Sequence, residues 1–466
     1  MASQVNVLDK SISPGKIVFM LAWPTIIEQL LQTLVSYVDA AMVGSVGVDA
    51  TAAVAVGTSF VWLIFGIMNG VGVGYSVMVA QSIGEGNLTR AKEIIRQSVM
   101  VMLFAGAFLI LMTQVVIAPN LAGWMGAEEG IHQDVRNYIS IIGWSMIFEV
   151  FIIVAGGIIR GSGNTKTPMI YNVVNNIANI IFNFIFIYPT REICIGQLKF
   201  EMWGMGMGVS GAAMGTALAA ALSGTLMLLT LFLGKSSVKI TLRERYRPDK
   251  AINGEMISLA IPVAFERVIH QSGQIMVTAL ATGLGNVALA AHQMANTAES
   301  MCFLPTFGFS VASMTLVAQS IGAGDEELAK TYAKLSIKYG VLIMLVSATL
   351  MFIFAPQLIG LLIKDSAVIG LGAMVLRIQA FAEPCLAITN ISSGIFKGTG
   401  DTKWPFYIAV IGMWIVRIIP AAILIKVFNV GLVGIWIPMA LDWLVRASIS
   451  LYRFKGDKWL AHTKEV

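Results

Sequence analysis

Twelve long apolar runs alternate with short polar stretches along the chain. They cover roughly residues 17–43, 52–81, 95–118, 136–159, 168–189, 207–233, 254–282, 288–319, 335–355, 372–396, 404–426 and 431–452. A helix needs about 20 apolar residues to cross the hydrocarbon core of a bilayer. The runs are continuous, which excludes the alternating ten-residue strands of a transmembrane barrel. The pattern predicts an all-α integral membrane protein with twelve transmembrane helices. Pro24, Pro262, Pro305, Pro384 and Pro420 fall inside runs. Each removes a backbone donor and predicts a local bend that neighbouring helices must accommodate.

The runs form two sets of six. Ala80-Gln81-Ser82-Ile83-Gly84 recurs as Ala318-Gln319-Ser320-Ile321-Gly322, and Pro24 to Glu28 is echoed by Pro262 to Glu266. Ala118-Pro119 pairs with Ala355-Pro356. Arg160-Gly-Ser-Gly-Asn-Thr-Lys166 pairs with Lys397-Gly-Thr-Gly-Asp-Thr-Lys403. Four landmarks in nearly one register define an internal repeat. With an even number of spans per half, the repeat is parallel, and such lobes are related by an axis along the membrane normal. The predicted organisation is a polar segment 1–16, an N-lobe 17–233, a linker 234–253, a C-lobe 254–452 and a tail 453–466.

Loop charge sets the orientation. The 31 Lys and Arg residues gather at the termini and in the loops after even-numbered runs, above all between Lys235 and Lys250. The loops after odd-numbered runs hold only Arg136, Arg191, Lys199, Lys364 and Lys426, and Arg267, Arg377, Arg417 and Arg446 lie within runs. The positive-inside rule therefore places both termini in the cytoplasm, in a multi-pass protein of the plasma membrane. Composition agrees: 57% of residues are hydrophobic and 12% charged, with mean hydropathy +0.79. Soluble domains carry about a quarter charged residues. The net charge of +5 is thus an orientation signal and gives no reason to expect a nucleic-acid partner. Cys194, Cys302 and Cys385 are scattered with no CxxC, and the four histidines are dispersed, so no disulfide framework, zinc site or cofactor is expected. The first run is followed by no small-residue cleavage site and is expected to be retained. The 26 methionines are mostly apolar filler that also suits an adaptable cavity.

Candidate chemistry begins in the first run. Glu28, Gln32, Ser36 and Asp39 are spaced four, four and three apart, which aligns them on one helix face. No basic residue lies within two turns of Asp39. An acid removed from water without a fixed counter-ion is a place where a proton or cation can bind, and such residues in membrane spans mark function. The plainer reading is a snorkelling acid near a helix end, since Gly44 follows five residues later. In the fifth run Asn172, Asn175, Asn176, Asn179 and Asn183 recur every three or four residues. Interhelical hydrogen bonding is one role for them. An oxygen site for Na⁺ built from Asn179, Asn183 and Asp39, with Thr216 adding a hydroxyl, is the other. In the second half Glu266, His270 and Gln274 repeat the stripe, but the position matching Asp39 is Val277. Glu149, Glu299 and Glu383 are further intramembrane acids, each weighed equally as a structural partner or a contact for a cationic substrate. Gly161 to Lys166 lacks the spacing of a P-loop and reads as a tight turn.

The loops Arg160 to Pro168 and Lys397 to Pro405, with Val38-Asp39-Ala40-Ala41-Met42-Val43-Gly44 and Ala290-Ala291-His292-Gln293, resemble the multidrug and toxic compound extrusion (MATE) transporters. The resemblance covers the whole chain. It implies a monomeric secondary antiporter, surrounded by membrane lipid, that exports small organic, often cationic or amphipathic, drugs or metabolites in exchange for inward H⁺ or Na⁺. The missing acid at Val277 implies the DinF-like branch, which couples through the N-lobe. The Asp39 cluster resembles that family's N-lobe cation site, and Tyr138 is similar to a tyrosine in it. Asn183 stands where some relatives carry a second aspartate, and Leu386 where some carry a functional acid. A single carboxylate implies one monovalent cation per cycle, H⁺ or Na⁺. Substrate-cavity candidates are Gln32, Ser36, Asn176, Glu149, Glu266, His270, Gln274, Glu299 and Glu383. A lipid-linked saccharide flippase of related lobe architecture is the alternative, and it would need a basic cavity for which only Arg267, Arg377 and Arg417 are available. A membrane-embedded enzyme would want paired acids with His, or HExxH spacing, and neither is present.

Overall fold

A chain in hydrocarbon must satisfy its own backbone donors and acceptors, and helices do so within each segment. A computed structural model of the protein describes residues 5–195, 198–233, 239–241, 243, 246–457 and 459–460. The side chains of Cys194, Lys199 and Lys235, used in the sequence reading, lie outside the described residues. The spans are α1 (Pro14–Gly44), α2 (Val48–Gly84), α3 (Leu88–Trp124), α4 (Glu129–Gly161), α5 (Lys166–Phe186) and α6 (Gly208–Leu233) in the first half. In the second half they are α7 (Lys250–Thr282), α8 (Asn286–Gly322), α9 (Glu326–Ile353), α10 (Ser366–Ala380 with Glu383–Gly398), α11 (Lys403–Lys426) and α12 (Val433–Lys455). Ten are long and apolar enough to cross a membrane as single helices, and α10 does so as a bent pair. α7 has the length, 33 residues, but is more polar. The protein is an all-α integral membrane fold of twelve helices in two repeated halves.

The prolines act differently from one another. Pro24, Pro262 and Pro305 sit inside continuous helices, whereas the run predicted at 372–396 is not one helix. It breaks between Ala380 and Glu383 with a bend of 55°. Pro384 lies in the first turn after the break, the helical position where a missing N–H costs nothing. Pro420 follows a π-helical stretch, Ile411–Ile418. Between α5 and α6 the chain also forms an antiparallel hairpin, β1 (Pro189–Ile195) and β2 (Leu198–Met205), which the hydropathy pattern left as a loop.

Contacts divide the chain into two compact units. One is Leu30–Val79 with Leu88–Met256, and the other is Val5–Gln29, Ala80–Asn87 and Ile257–Val466. In the first, a core of Met42, Ala53, Ile139, Ile142, Met146 and Ala213 joins α1, α2, α4 and α6. In the second, the polar segment ahead of α1 is packed down: Val7 is buried, and the Tyr332 hydroxyl donates to its carbonyl at 2.6 Å. The repeated Ala-Gln-Ser-Ile-Gly motifs also meet in this unit. A Cβ on Gly84 would come within 3.0 Å of the Ala323 nitrogen and run into the Gln319 carbonyl. A Cβ on Gly322 would come within 3.0 Å of Gln81 Cα and run into the Gln81 carbonyl. The motif is therefore a reciprocal close crossing of two helix ends. The repeated loops are matched as well, since Gly163 and Gly400 both adopt φ +87°, the left-handed region that glycine enters without strain.

Among the most deeply buried ionisable groups of the second unit are Arg417, Asp442 and Arg446, each at most 2% exposed. Asp442 accepts from Arg417 Nε at 2.8 Å and from Arg446 Nη2 at 2.9 Å. The Trp443 ring lies under both guanidiniums, at 5.3 and 4.9 Å. Removing one partner of a buried ion pair strands the rest and costs about 3–5 kcal/mol. Asp442→Asn is therefore expected to lose about that much stability, read as a clear drop in thermal unfolding temperature in detergent. Unchanged unfolding would contradict the pairing.

Candidate functional site

α5 is built to present amides. Its asparagines recur at helical spacing, and Asn176, Asn179 and Asn183 are the buried ones, at 9, 5 and 1% exposure. Asn179 and Asn183 face α1 and α6 within the first unit. Asn183 Nδ2 donates to Asp39 Oδ1 at 2.9 Å. With the Asn179 amide turned to satisfy both of its ends, its nitrogen donates to Asp39 Oδ1 at 2.8 Å and Oδ2 at 3.1 Å. Its oxygen then accepts from the Thr216 hydroxyl at 3.2 Å. Asp39 is thus held by amide N–H donors, not by an opposite charge. Tyr138 lies close enough to feel the Asp39 charge and bonds Thr58 on α2. The structure brings together Asp39, Asn179, Asn183 and Thr216, with Tyr138 beside them.

Small residues make the room. A Cβ on Gly215 would come within 3.0 Å of the Asn183 backbone nitrogen and collide with its side-chain oxygen. A Cβ on Gly57 would sit 2.5 Å from Tyr138 Cδ1. The end of α1 is pinned from the hairpin side. Tyr188 shares a 2.8 Å hydrogen bond with Ser45 and donates to the Met42 carbonyl at 3.4 Å. Arg191 stacks over the Tyr188 ring at 3.7 Å. Gly57, Thr58, Tyr188 and Gly215 were not singled out from sequence. Gly215 had a signal, because Gly211-Ala-Ala-Met-Gly215 carries the small residues that let helices approach closely. Tyr188 had none, since its partners, the Ser45 hydroxyl and the Met42 carbonyl, lie 143 and 146 residues away.

The amides can also offer oxygen. Asn183 Oδ1 is buried and has no hydrogen-bond partner among the described residues. The same holds for Asn175 Oδ1 and Asn176 Nδ2. The groups bonded to Asp39 are amide nitrogens. An ionised carboxylate accepts hydrogen bonds and cannot donate, so it draws the N–H end of each amide. An amide rotation would be needed to surround Na⁺ with Asn183 Oδ1, Asn179 Oδ1, Thr216 Oγ1 and Asp39.

The remaining candidates fall elsewhere. Gln32 and Ser36 are exposed, and the Ser36 hydroxyl is spent on the Gln32 carbonyl at 3.0 Å. Glu149 is half-buried on α4. In the second unit the stripe on α7 does not act as one set. Glu266 pairs with Lys397 at 2.8 Å, and not with its neighbour Arg267. His270 Nε2 faces Arg446 Nη1 at 3.0 Å, so that nitrogen accepts and the ring is neutral. Gln274 is exposed. Val277, the counterpart of Asp39, is fully buried among Ala281, Ala291 and Met413. Glu299 and Glu383 are buried together, apart from the α7 stripe.

A family model described as MatE matches residues 24–185 and 262–423, two segments of equal length 238 residues apart. A curated relative from Thermotoga maritima, "Probable multidrug resistance protein NorM", is 28% identical over 446 residues, covering 94% of this chain and 92% of the relative. "Uncharacterized transporter YisQ" of Bacillus subtilis is 25% identical, covering 95% and 94%. Among solved structures, "Crystal structure of MATE in complex with MaL6" aligns with TM-score 0.90 at 22% identity over 100% of both chains. A structure described as the outward-facing conformation of a multidrug resistance MATE family transporter aligns with TM-score 0.89 at 23% identity over 100% of both chains.

Gly215→Val tests the geometry around Asp39. The added branch must displace Asn183, so substrate transport driven by an ion gradient is expected to fall at least tenfold while expression in the membrane is retained. Normal gradient-driven transport by this variant would show that the Asn183 contact is dispensable.

Proposed function

The chain belongs to the MatE family, and from that membership we propose that it is a multidrug efflux antiporter coupled through Asp39. As a family member it is a multi-pass membrane transporter and not an enzyme. The proposed cargo is small organic molecules, cationic or amphipathic, moved outward across the plasma membrane by a monomer with both termini in the cytoplasm. The absent acid at Val277 supports placing it in the DinF-like branch.

The observation that carries the coupling role is the environment of Asp39. It is half-buried, faces amide donors from α5, and has no salt-bridge partner among the described residues. In the proposed cycle a cation entering from outside binds Asp39, neutralises it and loosens the amide clasp. Substrate affinity falls and the substrate leaves. The neutralised lobe then returns to the inward state, where the cation is released. Coupling of this kind needs cation and substrate to favour different states, and the exchange of donors at Asp39 supplies the difference. The N–H groups facing the carboxylate leave Na⁺ no place without amide rotation, whereas H⁺ binds one carboxylate oxygen directly. The orphaned Asn183 Oδ1 is the observation that favours Na⁺ as a second reading. The flippase alternative is not favoured, since Arg417 is consumed by Asp442.

Ethidium efflux from proteoliposomes tests the reading, with H⁺ and Na⁺ gradients imposed separately. Asp39→Asn is expected to abolish gradient-driven efflux, and the H⁺ gradient alone is expected to suffice for the wild type. Wild-type efflux by Asp39→Asn would sink the coupling role, and a strict Na⁺ requirement would replace H⁺ by Na⁺.

A further inference from the structure

α5 has two faces, and the proposed cycle uses one of them. The face opposite Asn179 and Asn183 carries Ile170, Ile177, Ile181 and Phe184, all exposed and recurring at helical spacing. A stripe of large apolar side chains left uncovered on a spanning helix lies against lipid. At its end the stripe meets aromatic and charged residues. Tyr188 follows the helix, and its ring lies 5.8 Å from that of Phe184. The Arg191 guanidinium stacks over the Tyr188 ring at 3.7 Å and stands 5.0 Å from the Phe184 ring. Trp203, next to Met202, the cross-strand partner of Arg191, is 63% exposed. Tyr and Trp gather where a spanning helix leaves the hydrocarbon for the headgroups. The base of the hairpin therefore sits at headgroup level.

Arg191 is held by aromatic rings and left open at its edge. The rings fix the plane of the guanidinium, but its N–H groups make no hydrogen bond or salt bridge among the described residues. The residue is half-buried, so solvent and headgroups reach it. A planar guanidinium with a free N–H edge matches two oxygens of a phosphate group. Stacking on a ring orders that edge in advance, so less freedom is lost when it pairs.

The acids nearby do not take this edge. Glu192 follows Arg191 in β1, and successive side chains of a strand point to opposite faces. Glu192 stands directly opposite Glu201 across the hairpin, and neither forms an ion pair among the described residues. Asp39 is held by the amides of Asn179 and Asn183. The ring under Arg191 is tied to α1 as well. The Tyr188 hydroxyl shares its 2.8 Å bond with Ser45 and donates at 3.4 Å to the carbonyl of Met42, three residues past Asp39. A ligand that fixes Arg191 thus also steadies the ring that pins the end of α1.

We propose that Arg191, Tyr188 and Phe184 form a phosphate site for a phospholipid headgroup, whose acyl chains lie along the Ile170 to Phe184 stripe of α5. The phosphodiester takes the open guanidinium edge, and the chains cover the apolar face. A free phosphate would meet the same edge but leave the stripe bare, so the lipid is the occupant that answers both features. On the proposed orientation the lipid belongs to the outer leaflet. Its effect on transport, through the pinned end of α1, rests on the antiporter reading, but its binding does not.

Native mass spectrometry of the purified full-length protein reads bound lipid directly. Titration with phosphatidylglycerol is expected to fill a tight site in the wild type, which Arg191→Gln weakens about tenfold. Arg191→Lys keeps the charge without the planar fork and is expected to fall between the two, which carries the test should Arg191→Gln not fold. A neutral glycolipid with the same acyl chains is expected to bind wild type and variants alike, and inorganic phosphate is expected not to displace the phospholipid. Glu192→Gln serves as the control and should bind as the wild type does. Phosphatidylglycerol binding that is equal in the wild type and both Arg191 variants would overturn the site, as would an equal loss in Glu192→Gln. The same loss of glycolipid in the Arg191 variants would overturn phosphate as the recognised group, and displacement by inorganic phosphate would overturn the lipid as its source. These outcomes are read without transport, so they stand apart from any failure of the efflux assay.

Discussion

The controlling constraint is that the interior of a bilayer offers no water to answer a polar group. Every backbone amide must therefore be satisfied within its own helix, which is why runs of apolar residues become continuous helices. The same constraint acts on side chains. Arg417, Asp442 and Arg446 exist as a set, because each alone would be an unanswered charge. Asp39 has no basic side chain paired with it among the described residues, and α5 brings amide donors to it. The positions of the polar residues follow from this requirement as much as from any need of the substrate.

Glycine placement is the second consequence. Polar side chains on different helices meet only if the backbones approach closely, and a Cβ at the contact prevents that. Gly215 lets α6 close on Asn183, and Gly57 lets α2 close on Tyr138. Gly84 and Gly322 do the same for the repeated motifs, each set against a carbonyl of the other. Substitutions at these glycines would act on polar contacts they never make themselves.

The helix count, the two halves and the cluster of Asp39 with Asn179, Asn183 and Thr216 could be read from the chain because they depend on local periodicity and on one long-range register. What could not be read depends on pairing across distance. Glu266 has an adjacent arginine in sequence, yet its partner is Lys397, 131 residues on. The hairpin from Pro189 to Met205 is short, and Tyr188 anchors it to the Ser45 hydroxyl and a backbone carbonyl, 143 and 146 residues away, with no local periodicity to mark the pairing. The break in α10 was foreshadowed only by Pro384, a residue that elsewhere in the same chain sits inside unbroken helices. A proline says where a helix can yield, and the packing around it decides whether it does.

The two halves share a backbone plan and differ in their electrostatics. The turns at Gly163 and Gly400 are superimposable in φ, and the glycine crossings are reciprocal. Yet the partner of Asp39 is a buried valine, while the second half carries two arginines, an aspartate and two glutamates that the first half lacks at the matching depth. A repeat that served only stability would have no reason to drift in this way, because moving buried charge is expensive in either half. Differences in buried ionisable residues, set on crossings and turns that are kept, are what divided labour between lobes would leave behind. One lobe holds its acid by neutral amide donors. The other holds Asp442 between two fixed arginines.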